Sequence, residues 1–186
     1  MKLGELYSVI CIIFATNFRG VIDEQKLRGL GKNWIIVNKN IENKNGHELW
    51  QKVQGEDYAA LGRDFEALKE AFEMDFFKLI SESEVELFYE KCRFKKPFAE
   101  LKSAHAANML ALLAMIFKQN TDAKSHKILT LYLAQFIIPS FSALATHVQI
   151  NAKSSYYKAL GWFLADFCRV VKETLGLGIY NLKFII

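Results

Sequence analysis

The sequence predicts an all-α fold: one helical-bundle domain over residues 1–186, built of eight or nine helices. Three observations carry this. Apolar residues recur at three- and four-residue steps along most of the chain. Only 2 prolines and 10 glycines interrupt 186 residues, too few for many short strands joined by turns. Hydrophobic residues make up 52% and include 15 Phe, enough apolar volume for a core and far from a disordered composition.

Leu3, Leu6, Tyr7, Ile10, Ile13 and Phe14 give a first helix that is apolar nearly all round, and so central. The run from Tyr7 to Phe18 resembles a signal-peptide core. Glu5 beside it, and the lack of a small-residue cleavage site after Ala15, favour a core helix. Asp23 can cap a short second helix ending near Gly29 and Gly31. The stretch from Lys32 to Gly46 holds five Asn around Trp34, Ile35, Ile36 and Val37. Because Asn favours turns and caps, it reads as an ordered loop pinned by Trp34, with a short strand as the alternative.

From Glu56 the stripe Leu61, Phe65, Leu68, Phe72, Phe76 and Leu79 predicts one long helix with Glu66, Glu70 and Glu73 on another face. Ser81/Glu84 and Ser83/Glu86 both have capping-box spacing, so a new helix opens there and carries Val85, Leu87, Phe88 and Tyr89. Arg93 to Lys96 is a basic linker, and Pro97 suits the first turn of a helix from about Phe98 to Lys118. A further helix runs from about Asp122 to Ile138, where Pro139 kinks it or opens another ending near Ile150. Ser154 or Ser155 can cap the last long helix, whose stripe is Tyr156, Leu160, Phe163, Phe167, Val170 and Thr174. Gly176 and Gly178 end it, and the apolar tail Ile179 to Ile186 is expected to lie against the body.

The chemistry-bearing residues do not assemble into a recognisable catalytic motif. His47, His105, His126 and His147 form no HExxH or other i, i+4 pair, and no GxSxG, P-loop or GxGxxG occurs. Ser140 and Ser142 precede His147 with no carboxylate nearby to orient it. Cys11, Cys92 and Cys168 are odd in number and far apart, which favours buried thiols in a reducing compartment over a disulfide or zinc framework. No enzyme activity, no cofactor and no metal are therefore expected. Ile128 to Ala152 contains no formally charged residue and is long enough to span a bilayer, but eight polar or helix-breaking residues dilute it, and no stable membrane insertion is expected.

Charge is distributed unevenly. Residues 1–55 carry 8 basic and 5 acidic groups, residues 56–90 carry 3 and 11, and residues 91–186 carry 13 and 4. The overall net charge of +4 gives no dense basic stripe of the kind nucleic acid selects. An acidic helical face beside aromatics suits a partner that presents arginines, since guanidinium pairs with carboxylates and stacks on rings.

Four stretches resemble the TorD/DmsD/NarJ-type redox-enzyme maturation chaperones. They are Asp75-Phe76-Phe77-Lys78-Leu79-Ile80; Ala104-His105 with the apolar run Ala106 to Phe117; Leu133 to Pro139; and Ser155-Tyr156-Tyr157-Lys158-Ala159-Leu160-Gly161. The family's Glu-x-x-Asp-His, His-Leu-x-Pro-Trp and Phe-Tyr-x-Ala-Leu-Gly motifs have similar spacings, and the overlap runs from about Asp75 to Phe167. This chain departs by carrying Leu101 and Ala104 for the family's Glu and Asp, and Phe136 and Ser140 for its His and Trp. His105 and Pro139 remain, as in a divergent member with its own client.

The resemblance implies a cytoplasmic chaperone that binds the twin-arginine leader of a molybdopterin oxidoreductase precursor and assists cofactor insertion before export. The arginines would meet Glu66, Glu70, Glu73 or Asp75, and the apolar stretch would sit against Phe76, Tyr89, Phe136 or Tyr157, with His105 and Pro139 near the hinge. A monomer, or a dimer exchanging segments about a hinge near residues 91–104, is implied as well. The alternatives are a helical membrane-associated protein and a small helical ligand-binding protein.

Overall fold

The computed structural model describes residues 3–174. Among them the architecture is all-α, with nine α-helices, three short 3₁₀ turns and one π-helical turn, and no strand beyond a single isolated bridge between Glu73 and His105. The expected glycine stop at Gly176 and Gly178, and the tail from Ile179, lie outside the described residues.

Helix α1 (Leu3–Arg19) buries Tyr7, Ile10, Cys11, Phe14 and Phe18 and lies along α6 (Ala106–Gln119). Gly4 allows the close approach: a Cβ there would stand 2.5 Å from the Phe117 carbonyl oxygen. On its other side α1 meets α9 (Ser155–Thr174) through the Tyr7–Phe167 and Phe14–Phe167 ring pairs, 6.1 and 6.0 Å apart, and through the Tyr156 hydroxyl, which donates to Asn17 Oδ1. Asp23 caps the short α2 (Glu24–Arg28), accepting from the Lys26 amide at 3.1 Å.

The asparagine-rich stretch differs from the loop expected of it. Trp34 does pin the chain, stacked on Phe163 at 4.5 Å and 7°. From Ile41, however, the residues form α3 (Ile41–Trp50). Three asparagines serve a distant partner as well as local bonds, the Asn38 side chain accepting from the Asn40 amide at 2.9 Å and that of Asn43 from the Asn38 amide at 3.1 Å. Asn38 donates to both carboxylate oxygens of buried Asp166 at 3.1 and 2.9 Å, Asn40 to one at 2.7 Å and Asn43 to the other at 2.9 Å. Gly46 lets α3 lie on the Phe163 ring, which a Cβ would approach to 2.5 Å.

The long helix expected from Glu56 to Leu79 is likewise corrected. α4 (Tyr58–Leu68), capped by Asp57, ends at Leu68; Lys69–Phe72 and Met74–Phe77 are 3₁₀ turns, and between them Glu73 is extended. The break is held from afar: the Met74 amide donates to the Ala104 carbonyl at 2.9 Å, across the Glu73–His105 bridge. Phe72 stays in the core, while Phe76 and Leu79 turn outward.

Helix α5 (Glu82–Cys92) opens on the predicted Ser81/Glu84 capping box. The helix expected from Phe98 starts instead at Ala106. Asn108 folds back on the preceding turn, accepting from the Phe98 amide at 3.2 Å and donating to the Phe98 and Lys102 carbonyls at 3.0 and 2.9 Å. Those groups, already satisfied, have no need of helical partners. Residues 93–105, which make up most of the expected hinge near residues 91–104, form a strap held by side chains at several points.

α7 (Ala123–Tyr132), the π turn Leu133–Ile137 and α8 (Ile138–Asn151) form one continuous path. Pro139, lacking an N–H, sits in the first turn of α8, just beyond the π register, in keeping with the expected helix opening there and ending near Ile150. α8 packs tightly on α9 at Gly161, where a Cβ would lie 3.1 Å from the Gln149 nitrogen. The α7–α8 path is the one described helix apolar and long enough to cross a membrane, and 50% of its most apolar window is buried within the fold.

Candidate functional site

The break after α4 gathers the acidic residues. Where the helix fails, Glu73, Asp75 and Phe76 come to lie between the strap and α8, which packs against Met74–Phe77. Phe76 is 47% exposed and Leu79 is 53% exposed, a small apolar patch. His147 of α8 lies edge-on to Phe76 and Phe77, at 5.5 and 5.8 Å between ring centres.

The carboxylates here are unequally satisfied. Asp75 pairs with Lys102 of the strap at 3.2 Å. Glu82, in the first turn of α5, accepts the adjacent Ser103 and Ala104 amides at 2.6 and 2.7 Å, holding the strap's backbone. Glu73 is half-buried, and its Oε2 has no hydrogen-bond partner among the described residues. Burial pushes the Glu73 carboxyl above its usual range. Asp75 and Glu82 push the same way, while Lys102 and Lys96 oppose them.

The expected site residues divide accordingly. Glu73, Asp75, Phe76 and His105 are brought together, and Pro139 sits half-buried in the first turn of the neighbouring α8. Glu70 is exposed on the 3₁₀ turn just before them, and Glu66 is exposed on α4, paired with Lys69. His105 is buried as the N-cap of α6. Its Nδ1 accepts from the Ala107 amide at 3.1 Å, and burial lowers its pKa to about 4, with Glu100 opposing. A neutral ring serving as a cap neither relays protons nor greets a ligand.

Three residues expected to line an open trough are core instead. Tyr89 is buried with its hydroxyl donating to the Ser103 carbonyl at 2.8 Å, behind the strap. Phe136 lies inside the cluster it forms with Phe88 and Tyr132, at 5.3 and 5.6 Å. Tyr157 is fully buried beside Phe65, and its hydroxyl has no hydrogen-bond partner among the described residues. The resemblance implies a binding surface at these three aromatics, whereas their apolar bodies fill the bundle.

Sequence reasoning missed Glu82, Lys102 and His147 as members of this region. Glu82 has the acidic first-turn position that favours a helix start, a local signal that says nothing of Ser103. A separate groove of about 410 Å³ lies between α4 and the start of α9, lined by Glu56, Arg63, Asp64, Lys153 and others. Its buried Asp64 accepts the Lys153 and Ser154 amides at 3.0 and 2.9 Å, and Glu56 accepts those of Ser155 and Tyr156, so these carboxylates are engaged in capping α9. Among the described residues, no group of three or more His, Cys, Asp or Glu is placed to hold a metal ion.

The site can offer a cation the half-exposed Asp75 carboxylate with Glu73 beside it, and an apolar segment two exposed side chains. No protein-family model, no curated protein and no solved structure matches this chain.

Proposed function

We propose that the protein is a non-catalytic, cytoplasmic chaperone that binds a cationic, apolar segment of another polypeptide: the twin-arginine leader of a molybdopterin oxidoreductase precursor. The client's cofactor would be inserted while that segment is held. What supports this reading is the convergence at the α4 break, where Glu73 and Asp75 lie beside exposed Phe76 and Leu79. The stretches that carry the family resemblance at Asp75 and at His105 also meet here, next to the Glu73–His105 bridge. An arginine pair followed by an apolar run presents the complementary pattern, guanidinium for carboxylate and side-chain surface for Phe76. The contact surface is small, so binding would be of the transient kind.

The test is a titration with a synthetic peptide carrying an Arg-Arg pair and an apolar run, against the same peptide with Gln-Gln. Preference of tenfold or more for the arginine peptide, lost in Glu73→Gln/Asp75→Asn, is expected; equal affinity for the two peptides would falsify the reading. Purification from the native host should bring down a molybdoenzyme precursor with its leader intact.

The membrane-associated alternative draws on the apolar Ala123–Asn151 path, whose mean hydropathy reaches 1.7. Recovery without detergent in the soluble fraction rejects it.

A further inference from the structure

The strap brings its own cation to the carboxylates. Lys102 reaches Asp75 Oδ2 at 3.2 Å, and its charge also acts on Glu73 and Glu82. Both members of the pair keep access to water, with side chains 53% and 32% exposed. The backbone around Lys102 is held independently of that contact. Its carbonyl accepts from Asn108 at 2.9 Å, and the next two amides are held by Glu82. The ammonium can therefore leave Asp75 by rotating about its own side-chain bonds while the strap stays in place. A solvent-exposed ion pair of this kind contributes little to stability, so releasing it costs little. Glu73 Oε2, by contrast, is buried without a hydrogen-bond partner among the described residues, which leaves Asp75 as the carboxylate open to a ligand.

We propose that Lys102 is an internal stand-in for a ligand's cation: it occupies Asp75 in the free protein and is displaced by an incoming guanidinium, which then takes both oxygens of the half-exposed Asp75 carboxylate. The inference rests on the peptide-binding reading above and adds regulation to it. A guanidinium outcompetes the ammonium because its planar fork spans two acceptors, whereas Lys102 is a point charge on a flexible stem. The strap thereby sets a threshold: a single lysine on a passing chain would gain nothing over the resident one, and an arginine would.

Titration of the full chain at low salt with the Arg-Arg peptide, its Lys-Lys counterpart and its Gln-Gln counterpart tests this, using Lys102→Gln and the control Lys44→Gln. Lys44 is exposed on α3, away from these carboxylates, and removes the same charge. Lys102→Gln should bind the Arg-Arg peptide about two- to fivefold more tightly than wild type, the size of a surface ion pair, with the gain shrinking as salt rises. It should gain more for the Lys-Lys peptide, and Lys44→Gln should match wild type. Unchanged or weaker binding by Lys102→Gln, or an equal gain in Lys44→Gln, overturns the stand-in while leaving peptide binding intact. Equal affinity of every variant for the arginine and glutamine peptides overturns both.

Discussion

Two of the carboxylate-and-loop clusters among the described residues are satisfied in opposite ways. Asp166 is buried, and four hydrogen bonds from the amides of Asn38, Asn40 and Asn43 leave its oxygens nothing further to accept from outside. Neutral donors on one short stretch of chain close that site. Glu73, Asp75 and Glu82 share a half-exposed region in which one oxygen is unpaired and one partner is a surface lysine. The difference lies in the partners: amides fixed by the fold make a joint, whereas a flexible ammonium makes a contact that can be exchanged.

The sharpest way to break this contrast is Asp166→Ala, which strands three side-chain amides in or near the core. We expect a loss of about 3–5 kcal/mol in urea unfolding. A loss below about 1 kcal/mol would mean that the asparagine loop is held by Trp34 stacking alone.

Next in size is acid sensitivity through His105. Its folded pKa of about 4 lies below the unfolded value near 6.5, so the unfolded chain binds the extra proton between those values. Stability from this group is complete above about pH 6.5 and is lost as pH falls toward 4, by roughly 2–3 kcal/mol. Raised Glu73 works in the opposite sense, gaining stability as it takes up its proton. The His105→Asn variant, which keeps an N-cap, isolates the histidine: its unfolding free energy should fall less than wild type's between pH 7.5 and 4.5. Parallel curves for the two proteins would remove the buried-histidine account.

The smallest expected effect sharpens the comparison most. Glu73→Gln should change stability by less than about 1 kcal/mol, because a half-buried carboxylate without a partner gains little from its charge. A large loss would show Glu73 to be a joint like Asp166.

How much of this was legible in sequence follows from the range of each interaction. The Ser81/Glu84 box and the Asp23 cap were readable because both partners lie within three residues. The stop after Leu68 was not, since what interrupts that helix is the pairing of Glu73 with His105, on a segment beyond α5. The same holds for α3, whose asparagines look like turn formers until Asp166, over a hundred residues away, is brought to them. At the candidate site, the charge pattern marked Glu73, and the family resemblance added Asp75 and Phe76. Neither separates Phe76 from Tyr89, Phe136 and Tyr157, because an aromatic that fills a core and one that meets solvent have the same local spacing. Lys102 and Glu82 carried no signal, as their partners are set by the strap.

The π turn at Leu133–Ile137 has a geometric consequence for the α7–α8 path. One surplus residue in that turn rotates everything after it by about 100° relative to an unbroken α-helix. Tyr132 can then face α5 and α6 while α8 offers a different azimuth to Gly161. A single rod is thus phased to serve as a wall for two neighbouring packing units, and deleting one residue there would put its halves out of step, however well each half kept its own apolar stripe.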